Sequence, residues 1–321
     1  MAISSNTVRR SNIEREKNQR LLTRLYTEWN RNKYVYVILL PVVAYYIIFH
    51  YLPMYGVIIA WKRFTPMGGI WGSEWVGWRN FENFFKSYYF FRLLRNTFLL
   101  NLYGLIFSFP APIILALLLN ELKVEWFKRT VQTISYLPHF ISTVVICGML
   151  VNFLSPEGLI NTLLGILGVE PKAWLRVPEA FRIIYVGSGI WQEVGWGSII
   201  YLAALSNIDP QLYEAATIDG ANRWQKMWHI TIPGIIPTII IMFILRMGSM
   251  LSVGAEKVIL LYNPTIYEVA DVISTFVYRR GLMENDYSFS AAVGLFNSVI
   301  NFMFLIIANT ISRRVSESSL W

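Results

Sequence analysis

Six long apolar runs, at residues 34–60, 93–119, 131–154, 183–205, 232–253 and 291–311, constrain this chain more than any other feature. Each is 21 to 27 residues long, and about 20 suffice to cross a hydrocarbon core of about 30 Å. Lipid offers no partner to an unpaired peptide group, so each run is expected to be helical. Strands of an outer-membrane barrel would alternate over about 10 residues, and nothing here does. Only 15% of the 321 residues are charged, against roughly 25% in a soluble domain. That balance excludes a soluble multidomain enzyme and a disordered chain. The single Cys147 cannot form an internal disulfide and lies in an apolar run, which points to packing. The expected fold is all-α, a polytopic membrane protein with six transmembrane helices, no repeats and no separate domains. Pro41 and Pro53 should kink the first span, and Gly187, Gly189, Gly195 and Gly197 should let the fourth pack closely.

Orientation follows from Lys and Arg. With a cytoplasmic amino terminus, the inside segments hold 15 Lys/Arg against nine Asp/Glu, and the outside segments ten against ten. Eight of the basic residues, Arg9 to Lys33, precede the first span. The domain reading is a basic cytoplasmic tail (1–33), a six-span body (34–311) with a cytoplasmic loop at 206–232, and a cytoplasmic tail (312–321). The basic tail suits a topogenic segment on anionic lipid, not nucleic-acid binding. It precedes an extended apolar run, so an uncleaved signal anchor is expected.

Catalytic signatures are lacking. There is no G-x-x-x-x-G-K-[S/T] phosphate loop, no C-x-x-C and no H-E-x-x-H; His50, His139 and His229 are scattered, and no span contains Asp. No catalytic residue, resident cofactor or metal is expected, which argues against a membrane enzyme.

The informative segment is the loop between spans four and five, Asp209 to Pro233. Asp209 is a good N-cap and Pro210 a good first helical residue. Residues 211–219 can form a short helix closed by Gly220 in the left-handed region. Residues 221–229 can form a second, and Pro233 admits the chain to span five. Leu212, Ala215 and Ala216 make a small apolar face beside Glu214 and Asp219. Such a face suits a partner's groove or the lipid interface.

Glu214-Ala215-Ala216, three residues, Gly220, nine residues, Ile230, one residue, then Ile232-Pro233 resembles the E-A-A-x3-G-x9-I-x-L-P signature of permease subunits in binding-protein-dependent ABC importers. Ile232 stands where Leu is usual. The resemblance extends over nearly the whole chain and is nearest to carbohydrate importers for complex oligosaccharides and alginate-like polysaccharides. Residues 191–205 and 260–271 carry it. It implies a type I importer permease fold of six spans, without the additional amino-terminal spans of some maltose-type subunits. The loop is then a coupling helix seated in an ATPase cleft, with Glu214 facing a basic residue there and Gly220 as the turn. It also implies a second permease of different sequence, two cytoplasmic ATPases that bind the ATP and Mg, and an extracellular solute-binding protein, in a bacterial plasma (inner) membrane. A permease for a non-sugar solute is the alternative.

Polar residues inside spans face a cavity or each other. Gly189, Glu193, Gly197 and Tyr201 recur every four residues in span four; Ser290, Gly294, Asn297 and Asn301 share a face in span six. Gln192, Asn152, Tyr103 and Arg246 are further candidates for the substrate path. Amides, hydroxyls and aromatic rings suit a sugar; interhelical packing would use the same groups. Counted from the outer ends at 1.5 Å per residue, Glu193 and Arg246 lie within about 5 Å of the same depth. An ion pair between them and a substrate-contacting Arg246 both fit.

Overall fold

The computed structural model describes Trp29 and residues 31–315. The basic residues Arg9 to Arg24, Asn30 and the tail 316–321 lie outside the described residues. The chain divides into two compact units, one ending at Ile58 and one beginning at Ile59.

The first unit is built on helix α1 (Arg31–Trp61). Pro41 sits in unbroken helix. Pro53 follows a wider turn, Ile47–Tyr51, in which the Leu52 amide reaches back to the Ile47 carbonyl. An i→i−5 turn accommodates a ring that would otherwise strike the preceding turn. In place of a break at either proline the helix changes pitch, wide at 47–51 and tight at Tyr55–Trp61.

The second unit is helical apart from a two-residue antiparallel pairing of Lys62–Arg63 with Glu74–Trp75. Its main helices are α2 (Phe90–Glu121), α3 (Glu125–Tyr136), α4 (Thr143–Phe153), α5 (Pro178–Ser206), α6 (Pro210–Ile218), α7 (Arg223–Met247), α8 (Ala255–Leu261), α9 (Ile273–Tyr278) and α10 (Tyr287–Val315). Among the described residues, four helices (α1, α2, α7 and α10) are long and apolar enough to cross a membrane, and a fifth crossing results if one bent pair counts as a single span. That pair departs from the expected continuous run at 131–154. Residues 125–140 and 143–153 meet at 99°. Pro138 tightens the chain into a short 3₁₀ turn, and Ser142 then caps α4 by accepting from the Val145 amide at 3.4 Å. α5 is 29 residues long, but its glycines and the Gln192–Glu193 pair leave it too polar to join the four. α7 stops at Met247, six residues short of the expected end, in a run of turns.

α5 is the hub, packed along α2, α3 and α7. A β-carbon on Gly195 would collide with the Ser135 carbonyl of α3, and one on Gly197 would lie 3.0 Å from Pro112 Cγ of α2. Close packing of α5 therefore depends on these two glycines. Ala116, Tyr201, Leu205 and Ile235 form one buried cluster at this crossing. A larger one gathers Leu100, Cys147, Phe181, Val258 and Val272. Much apolar surface faces outward instead: Leu118 is 62% exposed, Ile183 75% and Phe302 59%. A lipid-facing exterior explains that distribution.

Candidate functional site

A cavity of about 520 Å³ opens where α2, α5 and α7 diverge, closed at one side by residues 252–257. That volume falls within the range of small-molecule sites, about 300–1,000 Å³. Its origin is local. Gly104 begins a wide turn in α2, in which the Phe109 amide bonds the Gly104 carbonyl ahead of Pro110. A proline ring in a regular helix would clash with the preceding turn, and the widened turn that accommodates it places Gly104, Ser108 and Phe109 on the cavity wall. On α5, Gly189 and Gly197 line the cavity without side chains of their own.

Of the sequence candidates, Gln192, Glu193, Tyr201 and Arg246 line this cavity. The whole four-residue stripe of α5, from Gly189 to Tyr201, faces it. Glu193 and Arg246 share the cavity but form no ion pair. The Glu193 carboxylate lies 2.9 Å from His139 Nδ1, and that imidazole stacks on Trp196 with centroids 4.4 Å apart. Arg246 donates to Asn101 Oδ1 at 3.4 Å. The stripe of α10 goes elsewhere. Asn301 accepts from the Leu251 amide at 2.6 Å and donates to Ser252 at 2.8 Å. Asn297 Oδ1 is buried with no hydrogen-bond partner among the described residues. Asn152 is exposed near the end of α4. None of these three lines the cavity.

Lys257 was not among the sequence candidates, because residues 254–290 read as an outer loop. It lies on α8 and donates to the Tyr185 carbonyl at 3.0 Å, with its ammonium 4.9 Å from the Tyr185 ring centroid. Burial pushes its pKa down to about 8, opposed by the nearby Cys147 and Glu193. The available signal was the Glu256–Lys257 pair leading directly into the apolar Val258–Leu261.

Beside the cavity, a buried carboxylate ties residues 262–280 to α2. Asp271 is fully buried; Arg279 grips both its oxygens, at 2.9 and 2.6 Å, and Thr275 donates at 2.7 Å. Arg92 of α2 stands 3.8 Å away. Asn96 donates to the Glu268 and Asp271 carbonyls and accepts from Arg182. Burial would lower the pKa of Arg279, but the hydrogen bonds and charge of Asp271 outweigh it and hold it above the ordinary value.

The loop between α5 and α7 is built largely as expected. The Asp209 side chain caps α6 by accepting from the Gln211 amide at 2.9 Å. Gly220 has φ +78°, the left-handed region that side-chain-bearing residues resist. Asn222 and Gln225 form a reciprocal capping box, so the next helix begins at Arg223 and not at Ala221. It runs into α7 without a break, through a wide turn at Met227–Thr231 that accommodates Pro233. Glu214 and Ala215 are exposed on α6, and Leu212 is 52% exposed. Ala216, Asp219, Gly220 and Ile230 border one shallow hollow of about 310 Å³. Tyr213 meets Thr231 at 3.0 Å and Lys226 donates to Thr217 at 2.7 Å, so α6 is fastened to the start of α7.

The model of the family described as "Binding-protein-dependent transport system inner membrane component" matches residues 108–317. Protein LplB of Bacillus subtilis (strain 168) is 47% identical over 292 residues, 91% of this chain and 92% of its own. The polygalacturonan/rhamnogalacturonan transport system permease protein YteP of the same strain is 43% identical over 310 residues, 96% of this chain and 95% of its own. Among solved structures, a bacterial ABC transporter involved in the import of the acidic polysaccharide alginate superposes with a TM-score of 0.85 at 44% identity. That match covers 91% of this chain and 99% of the other.

Proposed function

The chain belongs to the binding-protein-dependent transport system inner membrane component family, and on that premise we propose that it is a translocation subunit of an ATP-driven importer for an oligosaccharide or polysaccharide, acidic ones of the alginate or polygalacturonan kind included. The observation that carries this reading is a cavity between long helices whose mostly apolar wall carries a few convergent polar groups. Buried polar groups in lipid are costly unless they serve a path or a packing contact. Here Gln192, Glu193, Tyr201 and Arg246 surround open volume. Two relatives named for polygalacturonan and alginate transport support the substrate class.

In this reading the bent pair and α5 each make one crossing, which with α1, α2, α7 and α10 gives six. Both termini face the cytoplasm of a bacterium. A second permease of different sequence, two ATPases that bind ATP and Mg, and a solute-binding protein outside the membrane complete the machine; a solved relative is bound to such a periplasmic protein. The α6–Gly220 loop seats in the ATPase. Closure of the ATPases on ATP moves α6 as a rigid body, and its fastening to α7 passes the motion to the cavity wall. That makes a two-state element biased from both ends.

Reconstituted vesicles test it. Glu214→Ala removes one charge-assisted contact, worth about 1.5–3 kcal/mol when its partner is partly buried. Gly220→Val is expected to be worse, because a β-branched residue resists φ +78°. Both should lower ATPase co-purification and substrate-stimulated hydrolysis while leaving membrane insertion intact. Full binding and full stimulation in both variants would reduce the loop to a connector.

A further inference from the structure

Resting on the reading of this cavity as a saccharide path, we propose that Arg246 and Lys257 together read carboxylates on the passing substrate, which supplies the counter-charge that the protein leaves out.

The cations of a neighbouring groove set the contrast. There Arg279 is held by Asp271, Arg280 by Glu284 at 2.6 Å and Lys86 by Glu82 at 3.2 Å. In the cavity no such pairing occurs among the described residues. Arg246 has only the Asn101 amide oxygen, at a long 3.4 Å, and Lys257 only the Tyr185 carbonyl and ring. The single carboxylate in the lining, Glu193, is engaged by His139 at 2.9 Å. A buried cation with only neutral partners is costly unless an anion completes it.

Space has been kept for both groups. A β-carbon on Gly104 would lie 2.8 Å from Arg246 Nη2, and one on Gly189 would lie 3.4 Å from Lys257 Nζ. Tyr185 lines the cavity with them and binds Lys257 through both its carbonyl and its ring. The result is two cationic donors on one cavity, with Gln192 and Tyr201 as neutral donors beside them. That set suits a chain of uronate residues, in which carboxylates alternate with hydroxyls. A neutral saccharide would leave both cations without an ion-pair partner in contact.

The Lys257 ammonium also makes the pair sensitive to pH. The charged and titratable groups around it are Glu193 and Tyr185 of α5, Cys147 of α4, Arg246 of α7 and its own neighbour Glu256. α9, which packs on α8, carries no charged side chain and brings only the Tyr278 phenol. With its pKa pushed down by burial to about 8, Lys257 holds its charge at neutral pH and sheds it above. Arginine at the same position would stay charged throughout.

The experiment uses the complete importer in lipid vesicles with its binding protein, supplied with an alginate pentasaccharide or with the same pentamer methyl-esterified at its carboxylates. The readout is the ratio of acidic to esterified import from about pH 7 to about pH 9. The expected ratio favours the acid, falls through about pH 8, and drops at least about tenfold in Lys257→Gln at neutral pH. In Lys257→Arg the fall with pH disappears. If Lys257→Gln fails to assemble, the Lys257→Arg profile decides. An unchanged ratio in Lys257→Gln, or the same pH fall in Lys257→Arg, overturns the proposal. Import of the ester alone by the unsubstituted importer also overturns it but leaves the saccharide reading standing; import of neither removes both.

Discussion

Lys257→Met should stabilise the protein at neutral pH, by an amount set by the cost of the buried charge. Methionine keeps an unbranched apolar stem of similar length and removes the ammonium. The Lys257 pKa falls from 10.5 to about 8, and at about 1.4 kcal/mol per pH unit the buried cation costs about 3 kcal/mol. Losing the hydrogen bond to the Tyr185 carbonyl takes back about 1 kcal/mol. The net gain is therefore about 2 kcal/mol, a rise of about 4 °C in the unfolding midpoint. The pH dependence follows from where each state binds its proton. Below about pH 8 both states of the unsubstituted chain carry it, and the penalty is fully present. Between about pH 8 and 10.5 the unfolded state holds more protons than the folded one, so stability rises with pH. The advantage of Lys257→Met should shrink across that window and turn into a deficit of about 1 kcal/mol at its upper end, where only the lost hydrogen bond counts. Thermal unfolding in detergent, followed by the fluorescence of the 12 tryptophans, measures both. A variant no more stable at pH 7, or an advantage that stays constant with pH, would refute the reasoning.

Three further outcomes are expected. Asp271→Asn keeps the shape of the buried group but leaves Arg279 and Arg92 without their counter-ion; the loss should be about 3–5 kcal/mol in the same unfolding measurement, and a loss under about 1 kcal/mol would contradict the latch. Gly195→Ala drives a methyl into the Ser135 carbonyl and should cost about 1–3 kcal/mol, whereas Gly187→Ala, with nothing within 4 Å of its added carbon, should be neutral or mildly stabilising. A cysteine added at the carboxy terminus should resist membrane-impermeant reagents in intact cells; labelling from outside would reverse the orientation drawn from the basic residues.

How much of this was legible in the sequence depended on whether the cause was local. Helix existence was legible, because length and apolarity suffice. The cap at Asp209 and the left-handed turn at Gly220 were legible too, since each is set by one residue and its neighbours. The 99° bend after Phe140 was not, because the run from 131 to 154 carries no Asp, Glu, Lys or Arg, and its polar residues, Gln132, Ser135, His139 and Ser142 among them, are scattered through it. Its signals, Pro138 and the N-cap Ser142, are weak against a run of 24 residues without a charged side chain. The two polar stripes show the deeper limit. Periodicity reports that residues share a face, and it did so correctly for Gly189, Glu193, Gly197 and Tyr201. It cannot say what that face meets. α7 ends at Met247, so the backbone beyond it needs partners that no helix supplies. Asn301 provides one, accepting from the Leu251 amide and donating to the Ser252 hydroxyl. A polar side chain inside a membrane helix therefore has two uses, a cavity and the freed backbone of a neighbour. Which one it serves is decided by where the neighbouring helix stops. The same reasoning accounts for Lys257: the turns that follow Met247 carry the chain back against α5, and a segment that reads as an outer loop becomes part of the cavity wall.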